Sequence, residues 1–266
     1  MKHFKQTIAL PLTLPVFALA ISMPLAAEED KNKKLEGQFE LGVIATSGNT
    51  ETQSYKGKLD IKQDLEHWRN QFILEGLYKR DQVEIDDGSG NITEEDRTTA
   101  EKYFGSAQGD YKLNAEYASF FMYAEYESNR FSGFDHQYTV AAGYSNRLFT
   151  TDNSHLTYDI GPGYTVDQPE DIDGEAQDTQ ETVVIRVAIK YEYQISDNAK
   201  FSQAVSSNYS TDDEKNTKTK SVTALTAQLN SSLALRASYT VDYNSEVPSE
   251  REHADSETAL TVVYSF

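Results

Sequence analysis

From residue 37 onward, apolar and polar side chains alternate one for one in run after run. Between Thr182 and Tyr193, Val183, Ile185, Val187, Ile189, Tyr191 and Tyr193 share one face. Thr182, Val184, Arg186, Ala188, Lys190 and Glu192 share the other. The same pattern returns in Leu156–Asp167 and Leu233–Asn244. A helix would scatter such residues around its axis, so strict alternation marks strands. The runs predict strands at 37–47, 51–64, 69–82, 98–112, 115–129, 137–149, 155–167, 181–195, 200–210, 218–229, 233–244 and 256–266. Most are longer than the roughly five or six residues of an ordinary strand. They suffice for a tilted membrane crossing of roughly 9–11 residues. Alternation alone fits a soluble two-sheet sandwich as well as a membrane barrel; strand length and the connections separate the two.

Twelve is an even number, as single-chain bacterial barrels have. With the N-terminus on the periplasmic side, five inner turns follow: Glu66–Trp68, Leu113-Asn114, Thr151–Asn153, Ser196–Asn198 and Asn230–Ser232. All are short. The long connections, Val83–Arg97, Gln168–Gln180 and Ser245–Asp255, all fall at the other end, where such barrels place their external loops. Arg130–His136 and Thr211–Thr217 are intermediate, and Gly48-Asn49-Thr50 is a short exception. The predicted fold is therefore all-β, a transmembrane antiparallel up-and-down β-barrel of about 12 strands over residues 37–266. Rings with an apolar body and a polar tip suit the membrane boundary. Tyr78, Tyr126, Tyr138, Tyr164, Tyr209 and Tyr243 fall near the expected outer strand ends. Phe39, Trp68, Phe72, Tyr111, Phe149, Phe201 and Phe266 fall near the inner ones.

Composition adds an address and several exclusions. Lys2 and Lys5 precede the apolar run Ile8–Ile21, which leads to Ala26 and Ala27. That layout predicts a secretory signal peptide over 1–27, with 28–36 as a short periplasmic segment before the barrel. The 266 residues carry 24 Lys and Arg against 43 Asp and Glu, a net charge of −19. An acidic chain lacks the clustered cations that nucleic acid requires, so nucleic acid is excluded as a partner. The absence of cysteine excludes disulfide scaffolds, zinc–thiolate sites and thiol nucleophiles. No segment after residue 27 approaches the roughly 18 apolar residues of a membrane helix. The acidity is concentrated: segments 83–97, 131–137, 167–181, 211–218 and 244–257 carry −18 between them, all at the expected outer end.

The last strand alternates Leu260, Val262, Tyr264 and Phe266, with the aromatic as the final residue. It resembles the terminal signal by which outer-membrane barrels are recognised, which implies the barrel-assembly machinery as a partner. Ser47-Gly48-Asn49-Thr50, the Trp68-Arg69 pair and Gly161-Pro162-Gly163-Tyr164 together resemble a family of Gram-negative proteins named as salt-induced outer membrane proteins. The resemblance spans most of the chain after residue 27. It implies a barrel in the cell outer membrane, in contact with lipid and lipopolysaccharide, and a setting of salt stress. It implies no catalytic residue and no cofactor.

Candidate chemistry is sparse outside the barrel interior. Period two assigns Lys56, Lys58, Asp60 and Lys62 of one strand to the inward face, with Glu75 and Lys79 of the next. Lys102, Asp110, Glu125, Glu127, Arg147, Asp159, Arg186, Lys190, Glu192, Arg236, Asp242 and Glu257 follow by the same rule. Charges of both signs inside a barrel either pair or line water, because an unpaired buried charge is costly. The function expected is a narrow pore or an envelope-integrity barrel. The alternative is a non-conducting adhesion or interaction barrel that uses the acidic outer loops. For an enzyme, His136 beside Asp135 and near Ser132 offers the one plausible base in an outer loop besides His253. His67 and His155 fall at inner turns, and no enzyme is expected. The acidic runs Asp171, Asp173, Glu175 and Asp86-Asp87-Gly88 offer oxygen ligands for weak divalent binding. Ala176 replaces the glycine of an EF-hand loop, so no metal site is expected.

Overall fold

The computed structural model describes residues 34–46, 52–86, 92–113, 118–129, 132–171, 177–212, 215–247 and 252–266. The expected signal peptide and the Gly48-Asn49-Thr50 turn lie outside the described residues, as do Asp173, Glu175 and Ala176. Twelve strands follow one another. They are β1 (Lys34–Thr46), β2 (Thr52–Asp64), β3 (Trp68–Asp86), β4 (Ile92–Lys112), β5 (Ser119–Asn129) and β6 (Phe134–Thr150). Then come β7 (Ser154–Pro169), β8 (Gln180–Ser196), β9 (Ala199–Ser210), β10 (Lys218–Gln228), β11 (Leu233–Asn244) and β12 (Ala254–Ser265). Each pairs antiparallel with its sequence neighbours, and β1 pairs with β12, so the sheet closes into a barrel. The up-and-down order matches the sequence expectation strand for strand.

Closure sorts the side chains. Leu41, Leu74, Phe120, Met122, Val140, Ile185, Leu225, Leu260 and Val262 are large, apolar and exposed on the outer surface. In water so broad an apolar belt would be a liability; in hydrocarbon it is what a barrel needs. Aromatic side chains bracket the belt. Trp68 stands edge-on to Tyr111 at 5.3 Å at the end where β1 begins and β12 finishes, called here the near end. Tyr126 packs against Tyr138 at 5.0 Å toward the opposite, far end. On β9, Phe201 and Tyr209 are eight positions apart, roughly 20 Å along the axis at ordinary rise and tilt.

One expected loop is largely strand. The segment Val83–Arg97 continues the β3–β4 ladder past a bulge at Lys79/Arg80, through Val83↔Glu95 to Asp86↔Ile92. Thr93-Glu94-Glu95-Asp96 is wholly polar, so no hydrophobic alternation marks that part of the ladder in the sequence. The longest connections are then β7–β8 and β11–β12, both at the far end.

The close approach of β6 and β7 explains a glycine pair. A Cβ on Gly161 would lie 2.1 Å from the Ala142 carbonyl oxygen, and one on Gly143 would lie 2.2 Å from that of Ile160. Pro162 has no N–H for the ladder, and the pairing resumes unshifted at Tyr144↔Ile160. The Gly-Pro-Gly-Tyr motif singled out in the sequence thus marks a close backbone contact between β6 and β7.

Candidate functional site

The inward faces meet. Lys102 on β4 donates from Nζ to Asp242 Oδ2 on β11 at 2.6 Å, and lies 3.3 Å from Glu127 on β5. Lys218 on β10 donates to the same Glu127 at 2.9 Å. In the ring, β4 and β11 are separated by four intervening strands on the shorter path, and so are β5 and β10. The Lys102–Asp242 and Lys218–Glu127 contacts therefore cross the lumen rather than run along its wall. Glu127 is 3% exposed and Lys102 7%, so the layer is enclosed by its own partners. Lys220 completes it, 3.8 Å from Asp242 Oδ1 and with its ammonium 4.7 Å from the Phe104 ring centroid.

A second group adjoins this layer. The Arg186 guanidinium of β8 lies 3.5 Å over the Tyr123 ring and donates to Asn208 Oδ1 at 2.9 Å. Asn208 in turn donates to Glu125 Oε1 at 3.0 Å and to Thr139 Oγ1 at 3.2 Å. A third group binds the seam strands. Glu40 on β1 accepts from Arg236 at 3.2 Å and from Thr261 at 3.3 Å, with Lys58 at 4.0 Å. Lys56 reaches Glu257 and lies 3.7 Å from Glu75. Buried charge is tolerated only when paired and hydrogen-bonded, and this interior meets that condition by joining strands that are not neighbours.

Nearer the entrance at the near end, Glu192 gathers His155 at 2.7 Å, Lys190 at 3.2 Å and Lys200 at 3.2 Å. Gln108 reaches from β4 to Asp159 on β7 at 3.2 Å, another bridge between strands that are not neighbours. Asp60 accepts from Gln71 at 2.9 Å. Lys79 sits by the far mouth beside Asp81 at 2.8 Å. Lys62 and Arg147 are half-buried on β2 and β6 near the near end. Sequence reasoning on the interior left out Glu40, Lys218, Lys220 and Asn208. Glu40 was findable from its flanks, Phe39 and Leu41, which are both exposed. Lys218 and Lys220 alternate with Thr219 and Ser221, so no apolar residue marks the outward phase of that stretch.

The outer-loop candidates do not assemble a catalytic group among the described residues. The Ser132 hydroxyl donates to the Asn129 carbonyl at 2.9 Å, and the His136 ring stands edge-on to Tyr138 at 5.4 Å. The His253 ring faces the Asn244 carbonyl at 3.0 Å. No cluster of three or more His, Asp or Glu side chains is spaced for a metal ion among the described residues.

An apolar exterior around a charged, cross-braced interior defines a transmembrane β-barrel. The chain belongs to the family described as "Protein of unknown function, DUF481", whose model matches residues 39–266. It is similar to the uncharacterized protein YdiY of Escherichia coli K12, with 28% identity over 88% of this chain and 84% of the relative. Among solved structures it is similar to an outer membrane channel from Pseudomonas putida F1, at 11% identity and a TM-score of 0.48. That match covers 91% of this chain and 100% of the other. The NanC porin matches at 12% identity and a TM-score of 0.47, over 87% and 98% of the two chains.

Proposed function

We propose that this protein is an outer-membrane barrel forming a narrow pore for small ions, held nearly shut by paired charges that cross its lumen. The Lys102–Glu127–Lys218–Asp242 layer carries the reading. Eight strands fill with side chains and sixteen leave an open channel; at twelve, the interior is decided by what the strands carry, and here they carry ions. Ion pairs that brace the wall can also exchange partners with water and solute, which a packed apolar plug cannot do. In this reading residues 1–27 direct export, the near end faces the periplasm, and Leu260 to Phe266 engage the assembly machinery. The belt then contacts lipid and lipopolysaccharide. The interior holds ion pairs in place of a nucleophile and base, so no enzymatic step is assigned, and salt stress is the physiological setting.

Planar-bilayer recording of the refolded protein tests this. Wild type is expected to give small, brief conductance steps. Glu127→Gln removes the carboxylate shared by Lys102 and Lys218, and should lengthen or enlarge the steps several-fold. A folded, heat-modifiable protein that stays silent in both forms would overturn the pore and leave the non-conducting interaction barrel.

A further inference from the structure

We infer that the constriction favours anions, and that Lys220 is the residue that sets this preference. The inference rests on the pore proposed above. It runs against the composition, since the chain carries −19 overall and an acidic rim would by itself draw cations.

The constriction has a different balance. Among the described residues, the salt bridges of this layer and the seam join six cations, Lys56, Lys58, Lys102, Lys218, Lys220 and Arg236, to five carboxylates, Glu40, Glu75, Glu127, Asp242 and Glu257, while Arg186 and Glu125 add one charge of each sign through Asn208. The carboxylates Glu40 and Glu127 are each held between two cations, and Asp242 is bonded to Lys102 with Lys220 3.8 Å away. A carboxylate capped twice has little field left for a passing cation, while the outer sides of its lysines stay positive. Glu127 is the most enclosed of these side chains at 3% exposed, and Lys220 is 19% exposed.

Lys220 is the loosest of these cations in the central layer. Its Nζ stands 3.8 Å from Asp242 Oδ1, beyond hydrogen-bond reach, and that oxygen is buried without accepting any hydrogen bond. The ring of Phe104 at 4.7 Å supplies a second, weaker seat. An ammonium poised between an aromatic face and a carboxylate that keeps its own bond to Lys102 can lean toward a small anion, such as chloride or a carboxylate, without breaking a hydrogen bond. Lys102 and Lys218 cannot do so, because each is bound into Glu127. Rings of Lys or Arg set anion preference in pores by the same electrostatics. At high salt the rim is screened beyond about 3 Å, which leaves the constriction to decide.

The test is the reversal potential in a tenfold KCl gradient, measured on wild type and, for larger currents, on Glu127→Gln. Chloride should be favoured over potassium in both. Lys220→Gln should reduce that preference several-fold, and Lys220→Glu should reverse it, with Lys79→Gln at the far mouth as a control that changes it little. Cation preference in wild type, or a reversal potential unmoved by Lys220→Glu in protein that still shows the heat-modifiable shift, overturns the inference while the pore stands. Silence in every form instead removes the pore and the inference with it.

Discussion

Gly161 stands where two strands nearly touch, and Gly57 stands where nothing approaches. A Cβ on Gly57 would meet no atom within 4 Å, whereas one on Gly161 would collide with backbone. Backbone cannot step aside as a side chain can. Gly161→Ala is therefore expected to cost about 1–3 kcal/mol, the usual range for forced overpacking, while Gly57→Ala should be neutral or stabilising by about half a kcal/mol. Urea unfolding of both variants from lipid vesicles measures the contrast; equal midpoints would contradict the close approach. At this scale the sequence was half legible. Period two assigned Lys102 and Asp242 to an inward face, because each step along a strand flips the side chain. Their contact was not legible, because it depends on how far around the ring β4 and β11 come to stand. The double capping of Glu127 escaped for the same reason.

The seam between β1 and β12 is the shortest ladder of the barrel. Its register runs from Gln38↔Ser265 to Leu41↔Val262, extended by reciprocal backbone bonds of 2.9 Å between Gly37 and Phe266. The opposite edge of β1 pairs with β2 over thirteen positions. Gly37 has no side chain, and the Phe266 ring occupies that place, with its nearest carbon 2.3 Å from where a Cβ would stand. The ring thereby covers a weak point in the strand. Hydrogen–deuterium exchange in lipid should therefore find the β1–β12 amides exchanging before those of β7–β8, whose ladder runs unbroken from Ser154 to Asp167. Equal protection would mean that the seam is held by more than its ladder. Strand positions were legible within a few residues wherever one face was apolar. The extension of β3 and β4 was not, since the polar run Thr93-Glu94-Glu95-Asp96 carries no alternation to read.

At the scale of the whole molecule, an acidic and polar composition coexists with an exterior rich in exposed leucine, tyrosine and phenylalanine. The two are reconciled by inversion, with the charged side chains meeting one another inside and the apolar ones outside. The barrel was legible from strand count, length and the segregation of long connections. The braced interior was not, because whether twelve strands leave a channel turns on the lengths and partners of side chains rather than on pattern. A cross-braced barrel should resist dodecyl sulfate until heated, giving a mobility shift on boiling. A chain ending before β12 should show no shifted band at all; a residual shift would mean that eleven strands close.

Because β12 is the sole neighbour of β1 on that edge, the barrel can be completed only by its last strand, across more than two hundred residues of intervening chain. Losing that strand would leave raw edges on both β1 and β11, each ready to template aggregation. The geometry of closure thus doubles as quality control. A copy shortened by a frameshift or an early stop would have no stable smaller barrel to settle into, and it would be left to proteolysis as an open sheet.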